Sequence, residues 1–372
     1  MTRQLKICFA TGTIDSMNHD GTGGVPKLIV NLANDLVDDK EVTILSSFQG
    51  DAEPQFDVSD GVTIQYIQKN LQHRSNLRVH QKLIFWLYVF VKLCIYKLNR
   101  NNRFNYVISC SPALSLMYIF LSHFTKEKVI IWENVALKRY GSLLLYIRCF
   151  FYRNASLYVT STRSDSAFLK SKNVNFCFIP NINYSDPMKY FDRSDRKEHN
   201  HFLAVGRLVD QKNFMALLKS LELLTQTDCH WKLTLVGSGP DENRLKTFVA
   251  EHKLGHQVTF IPHVANLDTY YKKSDYLLMT SKYEGSPLVL IEAQSFSLPI
   301  VSFDCETGPK EIISDQTNGY LVENGNVEGF SNVLHELLSS NIIYDELSRS
   351  AYLNSRKFNK KSVLVNWENI LT

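Results

Sequence analysis

FLAVGRLVDQKNFMALLKSLELL, residues 202–224, opens on a short apolar run that stops at Gly206 and passes through a polar turn. It then resumes as an apolar pattern of helical period, with Leu217, Leu218, Leu221 and Leu224 on one side. Asn213, at the end of the turn, is a residue type suited to cap a helix N-terminus. A strand that turns straight into a helix is half of a βαβ unit, and the unit recurs. WKLTLVGSG, QVTFIPHV, YLLMTS and PIVSFD follow downstream, each ending in turn residues ahead of a helical stretch. Upstream, KICFAT precedes a helical pattern over 26–37, and EVTILSS, YVISCS, KVIIWEN and LYVTST come after it. This alternation predicts an α/β protein of two domains, each a doubly wound parallel sheet. Residues 179–200, IPNINYSDPMKYFDRSDRKEHN, hold two prolines and mixed charges without periodicity. That is linker composition, and it puts the expected boundary near residue 195.

A chain of 372 residues, 44% hydrophobic and 21% charged, suffices for two cores and has the composition of a soluble globular protein. Its seven cysteines, at 8, 94, 110, 149, 177, 229 and 305, show no C-x-x-C spacing and read as reduced thiols. The apolar run in MTRQLKICFATGT is too short for a secretory leader and reads as a buried strand, so a cytoplasmic location is expected. Charge is divided unevenly. Over 61–190, 18 Lys and Arg stand against 4 Asp and Glu, a net of +14; over 191–372, 19 stand against 23, a net of −4. The basic first half suggests an anionic partner, whether nucleic acid, phospholipid or a phosphorylated substrate.

Inside that basic region lies LIFWLYVFVKLCIYKL, residues 83–98, whose apolar run is interrupted at Lys92 and falls well short of a bilayer span. Two readings stay open. One is an amphipathic helix resting on an anionic membrane, with Arg74, Arg78, Lys82, Lys97, Arg100 and Arg103 around it. The other is a helix packed on the sheet of its own domain.

In open parallel sheets ligands bind beyond the carboxyl ends of the strands, where helix N-termini offer free N–H groups to phosphates. Four segments occupy such places. GTGGVPK, 21–27, sets Gly23 and Gly24 before a helix with Pro26 at its first position and Leu28, Ile29, Leu32, Ala33 and Leu36 inside. It fits neither G-x-G-x-x-G nor G-x-x-x-x-G-K-[ST]. In the opening segment, Arg207 follows a strand-ending glycine and Lys212 precedes a helix, so the two cations are placed to neutralise a diphosphate as a bidentate fork and a point charge. VGSGPDENRLK, 236–246, repeats the strand, turn and helix start, with Gly237 and Gly239 allowing close backbone approach. In YEGSPLVLIEAQ, 283–294, Ser286 reads as an N-cap and Pro287 as the first helical residue, which leaves Glu284 in the loop and Glu292 inside the helix. Their spacing alone fits an acid and base, two clamps on a ligand, or two solvated charges.

Taken together, GRLVDQKN, EGSPLVLIE with its E-x7-E spacing, TGPKEII at 307–313, GTGGV, the IPN of the linker, VGSGP and NGYLVENGN follow one order along nearly the whole chain. In this the sequence resembles family 4 of the retaining, sugar-nucleotide-dependent glycosyltransferases, of the kind that builds bacterial surface polysaccharides. The resemblance implies GT-B architecture, two Rossmann-like domains facing a cleft. Residues 1–195 would form the acceptor side and 196–357 the sugar-nucleotide side, with a final helix over 358–372 packing back on the first. It further implies that Arg207, Lys212 and Glu284 carry the chemistry, the two cations on the donor diphosphate and Glu284 on the donor sugar. Gly206, Gly237, Gly239, Gly285, Ser286, Pro287 and Leu288 would line the donor, Glu292 would bind its ribose, and Gly23 and Gly24 would close the phosphate site. No metal and no cofactor beyond the co-substrate is implied.

There is one departure. After KVII, many relatives carry Glu-His, whereas this chain has Trp132, Glu133 and Asn134, with His123 several residues too early. Glu133 and Asn134 are therefore the expected acceptor and donor-sugar side. Retaining transfer with a phosphate oxygen as base tolerates that loss. The implied activity moves a hexose or N-acetylhexosamine from a UDP-sugar to a saccharide, one carried on a lipid diphosphate at the inner membrane face, and no nucleic-acid motif competes with it. A non-catalytic sugar-nucleotide module, an epimerase or a glycogen-type synthase shares the architecture. A requirement for acceptor in nucleotide release separates these from a transferase.

Overall fold

The computed structural model describes residues 4–12, 24–49, 56–68, 79–134, 137, 141–193, 195–196, 199–227, 229–339 and 341–372. They form two units, Met1–Ile179 with Asn369–Thr372, and Pro180–Glu368.

In the first unit the order is β1 (Lys6–Thr11), α1 (Gly24–Leu36), β2 (Glu41–Phe48), β3 (Thr63–Gln68), α2 (Val79–Leu98), β4 (Tyr106–Ser109), α3 (Pro112–Thr125), β5 (Lys128–Ile131), α4 (Ser142–Tyr152), β6 (Leu157–Thr160), α5 (Arg163–Ser171) and β7 (Phe176–Phe178). Its seven strands pair in parallel in the order β3-β2-β1-β4-β5-β6-β7. Helices must cover such a sheet on both faces, so its central strands are apolar throughout. Ile7, Cys8, Phe9, Val107, Ile108 and Ile131 are fully buried. The segment read two ways is α2. Val89 and Leu93 bury its inner side in the core, and the Lys97 ammonium lies 2.6 Å from Glu127 in a buried ion pair at its end. Its outer side stays apolar and exposed.

The second unit runs β8 (His201–Val205), α6 (Phe214–Leu224), β9 (Lys232–Val236), α7 (Glu242–Glu251), β10 (Val258–Ile261), α8 (Asp268–Lys273), β11 (Tyr276–Met279), α9 (Leu288–Ser295), β12 (Ile300–Asp304), α10 (Pro309–Ile312), β13 (Gly319–Glu323), α11 (Val327–Leu338), α12 (Asn341–Ser355) and α13 (Lys360–Ile370). Six parallel strands take the order β10-β9-β8-β11-β12-β13. One core cluster holds Leu217, Leu221 and Leu224 of α6, and a second is built around α9.

The chain divides at Ile179–Pro180, ahead of the boundary expected near 195. The reason is visible in the presumed linker. Arg193 is buried and donates to the backbone oxygens of Phe296 and Tyr271 at 3.0 and 3.1 Å, and Arg196 pairs with Asp275. Most of the final helix, expected as part of 358–372 on the first domain, is counted with the second unit; Asn369–Thr372 are counted with the first. There the Tyr106 hydroxyl donates to the Thr372 backbone oxygen at 2.5 Å.

Candidate functional site

In the second sheet β8 and β11 are neighbours, and the chain leaves them in opposite directions, toward β9 and toward β12. That is a topological switch point, where the loops beyond the carboxyl ends part and leave a crevice. The loop after β8 brings Gly206, Arg207 and Lys212; the loop after β11 brings Glu284, Gly285, Ser286 and Pro287.

The two loops are tied together. Lys212 Nζ donates to Glu284 Oε1 at 2.6 Å, with the side chains only 17% and 9% exposed. Gln211 Nε2 donates to the Tyr283 carbonyl at 3.0 Å, the Lys282 amide donates to the Gln211 carbonyl at 2.8 Å, and Thr280 Oγ1 donates to the Asn213 carbonyl at 3.1 Å. The Lys212 stem lies along Gly206, whose added Cβ would stand 3.2 Å from Lys212 Cε. Asn213 does not cap α6 as expected. It takes the left-handed conformation, φ 51°, which Asn tolerates, and its side chain makes no capping bond. Arg207 is exposed, and its guanidinium has no partner among the described residues.

From the β12 side, Thr307 Oγ1 donates to the Glu284 carbonyl, and Gly308 packs under the same turn. With φ at 96° and a Cβ that would meet the Gly285 oxygen at 2.7 Å, only glycine fits there. Pro287, expected as the first helical residue, is instead the N-cap, with φ −71° and ψ 110°, and α9 begins at Leu288. Ser286 thus moves one place outside the helix and supplies no capping bond; its carbonyl accepts from Asn181 Nδ2 at 3.2 Å. As in any helix, the first-turn amides, those of Leu288 and Val289, have no acceptor inside it, and they carry the positive end of its dipole.

Glu292 follows on a helix that is buried on all sides from Leu290 to Ser295. A carboxylate in that setting requires polar partners. Tyr271 OH donates to Oε2 at 2.9 Å, and Ser185 Oγ stands 3.5 Å from Oε1. Burial, then the Glu292 charge, push the Tyr271 phenol well above its ordinary pKa, so it remains a donor. Gly237 and Gly239 have a reason inside the protein. A Cβ at Gly237 would meet the Gly206 oxygen at 1.9 Å, and one at Gly239 the Leu208 oxygen at 2.4 Å. Both let the loops after β8 and β9 touch, which is a packing role.

In the first unit, Gly24 opens α1 two residues ahead of Pro26, which was expected at the first helical position, and Gly23 lies outside the described residues. Glu133 and Asn134 follow β5. Glu133 is inside the core: Ser115 Oγ and Tyr152 OH donate to its Oε1 at 2.9 and 2.6 Å, and Arg148 donates to Oε2. Burial raises its pKa against the opposing pull of Arg148 and the hydroxyls. All its oxygens are engaged, so it braces α3 and α4 against β5. Asn134 is different. Its Oδ1 and Nδ2 are buried with no hydrogen-bond partner among the described residues.

Motif order pointed to Arg207, Lys212, Glu284 and Glu292, and the sheet brings the first three to one edge with the start of α9. The sequence reading missed Gln211, Thr280 and Thr307, which hold the loops in register, and Tyr271, which orients Glu292. Gln211 sits inside GRLVDQKN and Thr307 inside TGPKEII, so their motifs were visible although their bracing was not.

A family model described as "Glycosyl transferases group 1" matches residues 188–357. The "Amylovoran biosynthesis glycosyltransferase AmsD" of Erwinia amylovora is 30% identical over 362 residues, 95% of this chain and 96% of that protein. A Campylobacter jejuni protein, the "GalNAc-alpha-(1->4)-GalNAc-alpha-(1->3)-diNAcBac-PP-undecaprenol alpha-1,4-N-acetyl-D-galactosaminyltransferase", is 26% identical over 368 residues, 98% of this chain and 97% of its own. Among solved structures, Anabaena Alr3699/HepE in complex with UDP superposes with a TM-score of 0.77 at 14% identity, covering 99% of each chain. That likeness concerns the fold, and it is the GT-B one.

Proposed function

The chain belongs to the group 1 glycosyl transferases, and on that premise we propose that it is a retaining, metal-independent enzyme of family 4. It transfers a hexose or N-acetylhexosamine from a UDP-sugar to a growing bacterial polysaccharide or lipopolysaccharide. The acceptor is a saccharide on a lipid diphosphate, presented at the inner face of the cytoplasmic membrane. The observation that carries this reading is the meeting of Lys212, Glu284 and the start of α9 at the switch point of the second sheet, with Arg207 on the same loop as Lys212.

Arg207 and Lys212 take the donor diphosphate, joined by the first-turn amides of α9. Glu284 holds sugar hydroxyls, and Glu292, oriented by Tyr271, holds the ribose. In the transfer step the bond from sugar C1 to the phosphate oxygen breaks as the acceptor oxygen bonds to C1 on the same face. The acceptor proton passes to the departing phosphate oxygen, so no side-chain base is required. Asn134, whose buried amide atoms have no partner among the described residues, stands at the sequence position where many relatives carry an imidazole. Preorganised cations and amides stabilise the charge that develops on the leaving diphosphate. The relative whose name includes a PP-undecaprenol glycan supports the lipid-linked acceptor, and the solved relative with UDP supports the nucleotide.

Release of nucleotide from a panel of sugar nucleotides, with and without lipid-linked saccharides, tests the reading. One UDP-sugar is expected to turn over only with acceptor present. Release that ignores acceptor, or none with any donor, contradicts it.

A further inference from the structure

Helices α2, α3 and α4 lie side by side on the first unit's sheet, their inner sides sharing one core through Val89, Leu93, Tyr118, Leu145 and Tyr152. Their outer sides are apolar too. Of nineteen large hydrophobic side chains exposed among the described residues, fifteen belong to these three helices. On α2, Leu83, Leu87, Val91, Ile95 and Leu98 recur at helical spacing and are between 48% and 79% exposed. On α4, Leu143, Ile147 and Phe150 repeat the pattern at 75%, 42% and 58%. Exposed aromatic rings on α3 extend the apolar side of α2: Phe120 lies 5.8 Å from Phe90 of α2 and 5.5 Å from Phe124 of its own helix. A continuous apolar surface of this kind marks a contact site.

Its charge is of one sign. None of the three helices contains Asp or Glu. From residue 79 to 172 the carboxylates are Glu127, Glu133 and Asp165, and all three are buried. In a parallel sheet each crossover helix ends where the next strand starts, so the C-terminal ends of α2, α3 and α4 gather along one edge. Arg100, Arg103, Lys126, Lys128 and Arg153 are exposed there. Lysines also stand among the rings of the face, Lys92 at 5.6 Å from Tyr88 and Lys172 at 5.6 Å from Tyr146.

We propose that the outer surface of α2, α3 and α4 docks on an anionic lipid bilayer, its Leu, Ile and Phe side chains entering the acyl boundary and its cations meeting headgroup phosphates. The inner side of α2 is committed to the sheet, and no described helix is long and apolar enough to cross a membrane, so the contact is with the surface. A second copy of this face would bring cations to the contact with no carboxylate to pair them. Nucleic acid has no use for exposed leucines. Docking deepens the reading of a lipid-linked acceptor and takes its purpose from it, yet it is measured separately.

The test is flotation of the full chain with vesicles of phosphatidylglycerol and phosphatidylethanolamine in equal parts, against phosphatidylcholine vesicles. The protein is expected to float with the anionic vesicles, to do so less as salt rises, and to remain behind with phosphatidylcholine. L87E with F150E, both at exposed positions, should cut the bound fraction by more than about tenfold, and R100E with K126E should abolish the preference for anionic lipid. Both pairs should keep the melting midpoint and UDP affinity of the unaltered protein, so misfolding would be seen. Absence of flotation, flotation of the variants at the original level, or a dimer in solution that L87E with F150E dissociates would overturn the proposal. Failure of UDP binding with flotation intact would strike the transfer chemistry alone.

Discussion

Lys212 and Glu284, 72 residues apart in the chain, meet across the switch point of the second sheet with Nζ and Oε1 2.6 Å apart. The cation assigned to the diphosphate is thus neutralised by the carboxylate assigned to the sugar. A diphosphate that seats on Lys212 competes with Glu284, and a sugar whose hydroxyls satisfy Glu284 removes that competition. On the proposed reading, the pair would couple recognition of the two halves of the donor.

Replacing Glu284 by Gln separates those halves. UDP, which has no sugar, should bind Glu284→Gln at least as tightly as it binds the unaltered protein, while transfer falls by about a hundredfold or more. Calorimetric titration of UDP and a steady-state assay of sugar transfer check this together. Parallel losses in both would show that Glu284 does not oppose the phosphate site.

Arg207 is exposed and without a partner among the described residues, so its removal is expected to cost the fold little. Arg207→Ala should lower kcat/KM by about a hundred- to a thousandfold at an unchanged melting midpoint. Arg207→Lys should recover only part of it, since a point charge does not replace a bidentate fork. Near-normal turnover in Arg207→Ala would remove this residue from the site.

Tyr271 touches Glu292 and is read as a positioning residue. Tyr271→Phe should raise KM for the donor several-fold with kcat little altered, and cost about 1 kcal/mol of stability. Donor titration of initial rates, beside urea unfolding, separates the two effects. An unchanged KM would leave Tyr271 with a packing role alone.

Two groups of the second unit, His201 and Asp275, give its stability an expected dependence on pH. Burial, outweighing the attraction of Asp275, lowers the His201 pKa from its ordinary 6.5, so its stabilisation is full above that value and drains away as pH falls toward the depressed one. Asp275 follows at lower pH. Burial opposes its charge, but bonds from His199 and the His201 amide, with the charge of Arg196, hold its pKa below 3.8, and its contribution is lost on further acidification. Unfolding free energy measured across this range should therefore fall in acid, and Asp275→Asn should flatten the lower part of the curve. A stability that rises on acidification from neutrality would contradict these directions.

The buried centres of both sheets were legible because parallel strands covered on both faces are apolar without interruption, as in KICFAT and YLLMTS. The strands that escaped, β3, β7 and β13, are edges. With a neighbour on one side only, β3 carries glutamines at positions a central strand would not, and β7 is three residues long. The helix start after Glu284 slipped by one place because Pro287, with its φ fixed, suits an N-cap as well as a first helical position. Polarity marked 179–200 as a linker, yet Arg193 finds its acceptors among carbonyls about eighty to a hundred residues downstream, which no local pattern reports. The same holds for Lys212 and Glu284. Each was found by its motif, but their contact depends on β8 lying beside β11, a fact of sheet order.

The most direct measurement is the affinity of the full chain for UDP, by calorimetry, in the unaltered protein and in Lys212→Ala. If the switch point of the second unit holds the donor diphosphate, Lys212→Ala weakens UDP binding by more than about tenfold while Glu284→Gln does not. Equal affinity in the unaltered protein and Lys212→Ala would place the diphosphate elsewhere and contradict the account.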